Sequence, residues 1–219
     1  MRIIVSDSSC LIDIRKASLI DAFLKLPYEI LIPNTLFEDE LLKFTDVQKR
    51  ALISGGIKII DLPGDSVLRA QQAVREVPQL SIHDGFAFAL AESHPSCILL
   101  TGDRSLRAFA TDRKIEVHGL LWVIDQLHRN NLVTVKALLA ALQLFDEDPT
   151  VRLPTRELAA YMRRYQTRKV LAAASNAVAS PPAPLGQRQH RPHQDLRPPQ
   201  DQAGGQPDAQ GELLSRCSS

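Results

Sequence analysis

Short apolar runs alternate along this chain with longer segments in which apolar residues recur every three or four positions. The runs at 3–5, 30–32, 57–60, 97–101 and 115–117 have the length and continuity of strands buried on both faces. Between them, 18–25, 35–44, 65–76, 82–93 and 106–111 carry helical spacing, with Leu68, Ala73 and Val74 marking one face of the third. Strands alternating with helices predict an α/β fold in three layers, α/β/α, around a mostly parallel central sheet of about five strands. Three more helices are expected, at 120–128, 135–144 and 156–169, the last past the Asp-Glu-Asp-Pro turn near Asp148.

The pattern stops near residue 175. The stretch SPPAPLGQRQHRPHQDLRPPQDQAGGQPDAQG is rich in Pro, Gln and Gly and nearly lacks large apolar groups, so it has too little to bury against its ordering entropy. The expected organisation is an α/β domain over 1–130, a helical extension over 131–174 and a disordered tail over 175–219. Twenty-six Lys and Arg against 25 Asp and Glu leave a formal charge of +1, so no global field announces a polyanionic partner and any basic surface must be local. Cys10, Cys97 and Cys217 are too few and too irregularly spaced for a disulfide framework or a zinc knuckle. The N-terminus enters a strand directly and no apolar run approaches a membrane span, so a soluble, cytoplasmic protein is expected.

The positions of the acids carry the chemistry. Asp7 follows the first strand and Asp103 the fourth, in ILLTGDRSL. In an open α/β sheet the crevice at the carboxyl ends of the strands is where ligands bind, and two such carboxylates meet there if their strands are neighbours. Asp84 opens the helical segment SIHDGFAFALAE, and Glu38, Asp39 and Glu40 lie in the helical segment after Pro33. Each has a plainer reading. Asp7 would cap the next helix, Asp84 forms a capping box with Ser81, Glu38 to Glu40 complement a helix dipole, and Asp103 belongs to a Gly-Asp turn. Together, four acids at one sheet edge repel one another, and a divalent cation removes that conflict. All-oxygen ligands select Mg²⁺ or Mn²⁺ over zinc.

The segments IIVSDSSCLIDI, IPNTLFEDEL, LSIHDGFAFALAE and ILLTGDRSLRAFA, in this order and spacing, resemble the PIN domain, a nuclease family that includes the toxins of bacterial toxin–antitoxin pairs. The likeness runs from Met1 to about Leu127. It implies a metal-dependent endoribonuclease in which Asp7, Glu40, Asp84 and Asp103 hold Mg²⁺ or Mn²⁺ and act on RNA. A toxin role with an antitoxin partner, and a homodimer, are further expectations. For the second acid, Phe37 and Leu41 fit the apolar flanks of Glu40, whereas counting from Pro33 selects Asp39; Glu40 is preferred because Asp39 would leave Glu40 charged at a core position.

Around these acids, Ser8, Ser9 and Thr101 either orient carboxylates or cap the backbone. His83 beside Asp84 invites a general-base role, yet neighbours on a helix point about 100° apart. Arg104, Arg107, Arg15 and Lys16 are cations near the expected site, and MRRYQTRK from Met162 is a basic helical end suited to RNA backbone or simply to solvent. Two other functions compete. A PIN-like module that binds RNA or protein without cleaving is motivated by the material after Leu127. An aspartyl-phosphate enzyme or receiver needs a second acid beside Asp7, which VSDSSC lacks.

Overall fold

The computed structural model describes residues 1–178. Its five strands are β1 (Arg2–Ser6), β2 (Tyr28–Pro33), β3 (Ile57–Ile60), β4 (Ile98–Leu100) and β5 (Glu116–His118). They pair in the order β3-β2-β1-β4-β5, every pair parallel. Helices flank the sheet as the alternation predicts, giving the three-layer α/β/α fold. Ile4, Val5, Ile30, Leu31, Ile32, Ile98, Leu99 and Leu100 are all buried, which is why the central strands read as unbroken apolar runs.

The helices are α1 (Ser8–Lys16), α2 (Ile20–Phe23), α3 (Asn34–Asp39), α4 (Asp46–Ser54), α5 (Gly64–Glu76), α6 (Ile82–Glu92), α7 (Arg104–Asp112), α8 (Leu120–Arg129), α9 (Val135–Glu147) and α10 (Thr155–Val178). Several differ from expectation: α1 lies outside the expected helical segments and α10 extends past residue 169. The segment 18–25 contributes only the single turn of α2. The helix expected over 35–44 breaks at Asp39 and gives way to a 3₁₀ turn over Leu41–Lys43. α4 was not expected, because Leu52 is its one buried apolar residue; its signal is instead the capping box of Thr45 and Gln48.

α5 and α6 pack closely. A Cβ on Gly85 would lie 2.7 Å from the Ala70 carbonyl oxygen, so only glycine lets the two backbones approach. Leu138, Leu142 and Phe145 of α9 and Leu158 and Tyr165 of α10 join the same hydrophobic cluster as the sheet. α10 runs through Val178, and the remainder of the tail expected over 175–219, with Cys217, lies outside the described residues. Among the described residues no helix is long and apolar enough to cross a membrane.

Candidate active site

The chain steps from β1 outward to β2 and β3, then returns to place β4 on the other side of β1. The sheet order therefore reverses between β1 and β4, and the crevice of an open α/β sheet opens at such a reversal. Ser6 is in register with Leu100, and the Asp7 N–H donates to the Leu100 carbonyl at 2.9 Å. Asp7 and Asp103 are thus delivered by adjacent strands to one edge.

Asp7 is 4% exposed. It occupies the N-cap position of α1, yet its side chain makes no capping hydrogen bond, contrary to the plainer reading of this residue. Its Oδ2 instead accepts the hydroxyls of Ser9 at 2.7 Å and Thr101 at 3.0 Å, while Oδ1 has a long contact from Ser8 at 3.4 Å. Thr101 Oγ1 in turn accepts the Asp103 N–H at 3.0 Å, and Ser9 Oγ accepts the Gly102 N–H at 3.4 Å. The loop after β4 is therefore stitched to the carboxylate after β1 through two hydroxyls. Burial pushes the Asp7 carboxyl above the usual range; the Ser9 and Thr101 hydroxyls oppose this, and the nearby Glu40 charge adds to it.

Glu40 ends α3, so the cluster Glu38 to Glu40 lies at the helix's C-terminal end, where acids oppose the dipole. The dipole reading is overturned, and other contacts hold these acids. Lys49 pairs with Glu38 at 3.4 Å. His83 Nε2 meets Asp39 Oδ2 at 3.2 Å and its Nδ1 meets Glu40 Oε1 at 3.1 Å. Ser8 donates to Glu40 Oε2, linking Glu40 to the neighbourhood of Asp7. The Asp39 side chain is 62% exposed against 29% for Glu40, which faces inward.

Asp84 and Asp103 each start a helix. Asp84 and Ser81 form the expected reciprocal capping box, with Asp84 Oδ2 accepting both the Ser81 N–H and its hydroxyl at 2.8 Å. Asp103 Oδ1 accepts the Leu106 N–H at 2.8 Å at the start of α7. Burial raises the Asp84 carboxyl above its ordinary value; the Ser81 bonds oppose it, and the charges of Asp7 and Asp103 add to it. Asp7 thus lies within electrostatic reach of Glu40 and Asp84, and Asp84 of Asp103. Among the described residues, however, no group of three or more His, Cys, Asp or Glu is drawn together tightly enough to grip one ion. The donors nonetheless suit a hard divalent cation: they are carboxylates and hydroxyls, and the buried Asp7 has only hydroxyls as side-chain partners.

Helical geometry turns His83 away from its neighbour Asp84, and the two carboxylates it meets instead come from the end of α3. Arg107 is committed to structure, its guanidinium donating to the carbonyls of Thr101 at 3.1 Å and Val117 at 3.4 Å. Lys16 is taken by Asp148 and Asp13, Arg15 lies over the Phe44 ring, and Arg104 is exposed. His118 stacks on Trp122 with ring centres 4.5 Å apart. Cys10 and Cys97 are free, buried thiols, and burial pushes Cys97 up to about 11 and Cys10 higher still, so neither is a nucleophile.

A comparison with curated proteins finds no match to this chain. A family model described as PIN domain matches residues 3–167, from β1 into α10. PIN domains are generally nucleases and generally use divalent metal ions. The sheet order, the strand-end acids and the extent of this match agree, and the chain belongs to the PIN-domain family.

Proposed function

We propose that the chain is a metal-dependent endoribonuclease that hydrolyses RNA phosphodiester bonds at the edge between β1 and β4. The observation that carries the proposal is Asp7. A buried carboxylate, raised by desolvation and held by hydroxyls and the Ser8 backbone with no cation beside it among the described residues' ion pairs, is costly to keep unless its charge serves a cation. Asp7, Glu40, Asp84 and Asp103 would hold one or two Mg²⁺ or Mn²⁺ ions. Such ions, when bound, neutralise phosphate charge and acidify a water for attack.

The chain's own residues prepare that site. Ser9 and Thr101 fix Asp7 through Oδ2 and so aim Oδ1, which the Ser8 hydroxyl meets at 3.4 Å. Ser8 also holds Glu40, so one hydroxyl sets the spacing of two acids. The capping bonds of Asp84 and Asp103 fix each carboxylate through one oxygen.

RNA as the substrate follows the family resemblance. Incubation of the purified chain with single-stranded and structured RNA in Mg²⁺ or Mn²⁺ tests the proposal, with cleavage expected only when metal is present. Cleavage that survives Asp7→Asn would remove the site from consideration. Growth arrest on expression without any partner, dependent on Asp7, would add the toxin role; unimpaired growth with cleavage in vitro would make the chain an RNA-processing enzyme.

A further inference from the structure

A cleft of about 340 Å³ lies between α8, the turn after it and α10, lined by Asp125, His128, Arg129, Asn131, Arg164 and Arg168. None of these belongs to the acidic cluster. Three guanidiniums face one carboxylate, and that carboxylate is already engaged. Asp125 Oδ1 accepts from Arg164 and from the Tyr165 hydroxyl at 3.0 Å, and Oδ2 from the Tyr161 hydroxyl at 2.9 Å. Burial pushes the Asp125 carboxyl up, but the Arg164 and Tyr161 bonds and the Arg164 charge outweigh it and hold it below the usual range. Its charge is therefore spent on placing Arg164, not left to repel an anion.

The cations retain capacity. Arg164 Nε is buried with no hydrogen-bond partner. Arg129 and Arg168 are exposed and form no salt bridge among the described residues; Arg168 stands over the Tyr165 ring with its carbon 5.4 Å from the ring centre. His128 meets the same ring edge-on at 5.4 Å. Asn131 has φ 54°, a left-handed turn conformation that asparagine tolerates, and is one of the residues lining the cleft. Arg129 in the last turn of α8 also complements that helix's dipole and His128 packs on Tyr165, which are sufficient structural reasons for them. Neither is a reason for Arg164 and Arg168, which project into the same cleft from within α10.

We propose that this cleft is a second binding site, specific for a phosphoryl anion. Planar guanidiniums fixed by carboxylate and aromatic contacts are the groups that recognise phosphate through paired N–H donors, and the amide of Asn131 adds a neutral donor. The phosphoryl group comes either from an RNA backbone, in which case the cleft is an anchor for substrate away from the acids, or from a free phosphorylated small molecule. The RNA source rests on the nuclease reading; the anion site itself does not.

The test uses the full chain and inorganic phosphate, followed by amide NMR against chloride at matched ionic strength. Saturable shifts confined to 125–131 and 161–168 are expected, and R129E/R168E, which removes two exposed cations, should weaken phosphate binding by about tenfold or more. R129Q/R168Q repeats the measurement without charge reversal. No saturable shift in the native chain, equal shifts with chloride, or undiminished binding in both double variants overturns the site. Binding of a single-stranded ribo-oligonucleotide to the Asp7→Asn chain identifies the source. If both double variants weaken it and flatten its salt dependence by about 0.7 per lost contact, the site takes backbone phosphate. If they abolish phosphate binding but leave RNA binding intact, the site takes a free phosphorylated molecule. Absence of RNA cleavage by the native chain would count against the nuclease reading and leave the phosphate measurement standing.

Discussion

Thr101 donates its hydroxyl to Asp7 at 3.0 Å across the β1–β4 boundary and at the same time accepts the Asp103 N–H at 3.0 Å. One fully buried side chain thus couples the two strand ends that carry the first and last of the four acids. Because the hydroxyl is both donor and acceptor, neither strand end can shift without breaking a buried hydrogen bond, at about 1–3 kcal/mol.

Thr101→Val removes both bonds while keeping the volume. It should weaken Mn²⁺ affinity by about 10–100-fold, the usual effect of losing a group that orients a ligand. Thr101→Ser restores the hydroxyl and should recover most of the affinity. Metal titration followed by thermal shift reads both, since an ion that binds the native state stabilises it. Equal affinity in the valine variant would show that Asp7 needs no such support.

Asp7→Asn should abolish cleavage and yet raise stability in metal-free buffer. The folded carboxyl is raised above its unfolded value, so its favourable contribution is full below the ordinary Asp range near 3.8 and is lost as pH rises through the raised value. At neutral pH the native carboxylate therefore carries the whole deficit, which the amide removes. Each kcal/mol recovered corresponds to about 2–4 °C in Tm for a chain of this size. Melting curves at pH 7 and pH 3 check the sign: the gain should be present at the first and shrink at the second.

Gly85→Ala places a methyl 2.7 Å from the Ala70 carbonyl oxygen, a backbone atom that moves only if α5 and α6 separate. Overpacking of this kind costs about 1–3 kcal/mol. Since α6 also carries His83 and Asp84, cleavage should fall more than unfolding alone explains when measured well below the melting temperature. Urea denaturation alongside single-turnover assays separates the two effects.

Asp148 offers a pH prediction remote from the acids. Hydrogen bonds from Thr150, and from Lys16 of α1, hold its carboxyl down to about 2. A depressed acid contributes stability that is complete above its unfolded value of 3.8 and disappears as pH falls through about 2. Asp148→Ala should therefore be less stable than the native chain at pH 5 to 7 and converge with it near pH 2. A stability difference that persists at pH 2 would mean the loss arises from the turn itself and not from the charge.

Strands and the strand-end acids were legible in the sequence because both are local: a doubly buried strand must be apolar, and an acid directly after it can only lie at the carboxyl edge. Asp7 and Asp103 were placed on that ground alone, and the pairing of β1 with β4 brings them to one edge. The contacts of His83 were not legible, since they depend on where α3 stops and on how α6 lies against it. Neither was the break at Asp39, where a helical pattern continues into a 3₁₀ turn. The basic cleft draws on Asp125, Arg129 and Arg168, residues spread over two helices, and only MRRYQTRK hinted at it.

Asp84 and Asp103 each hold the start of a helix, whereas Asp7 caps nothing. The three acids would therefore be lost at different speeds in a lineage that gave up cleavage. Selection for folding alone would keep the two caps, each worth about 1 kcal/mol, while the buried carboxylate at position 7 would become a burden that drift removes. Across relatives of this chain, the residue aligned with Asp7 is the one whose identity should track activity.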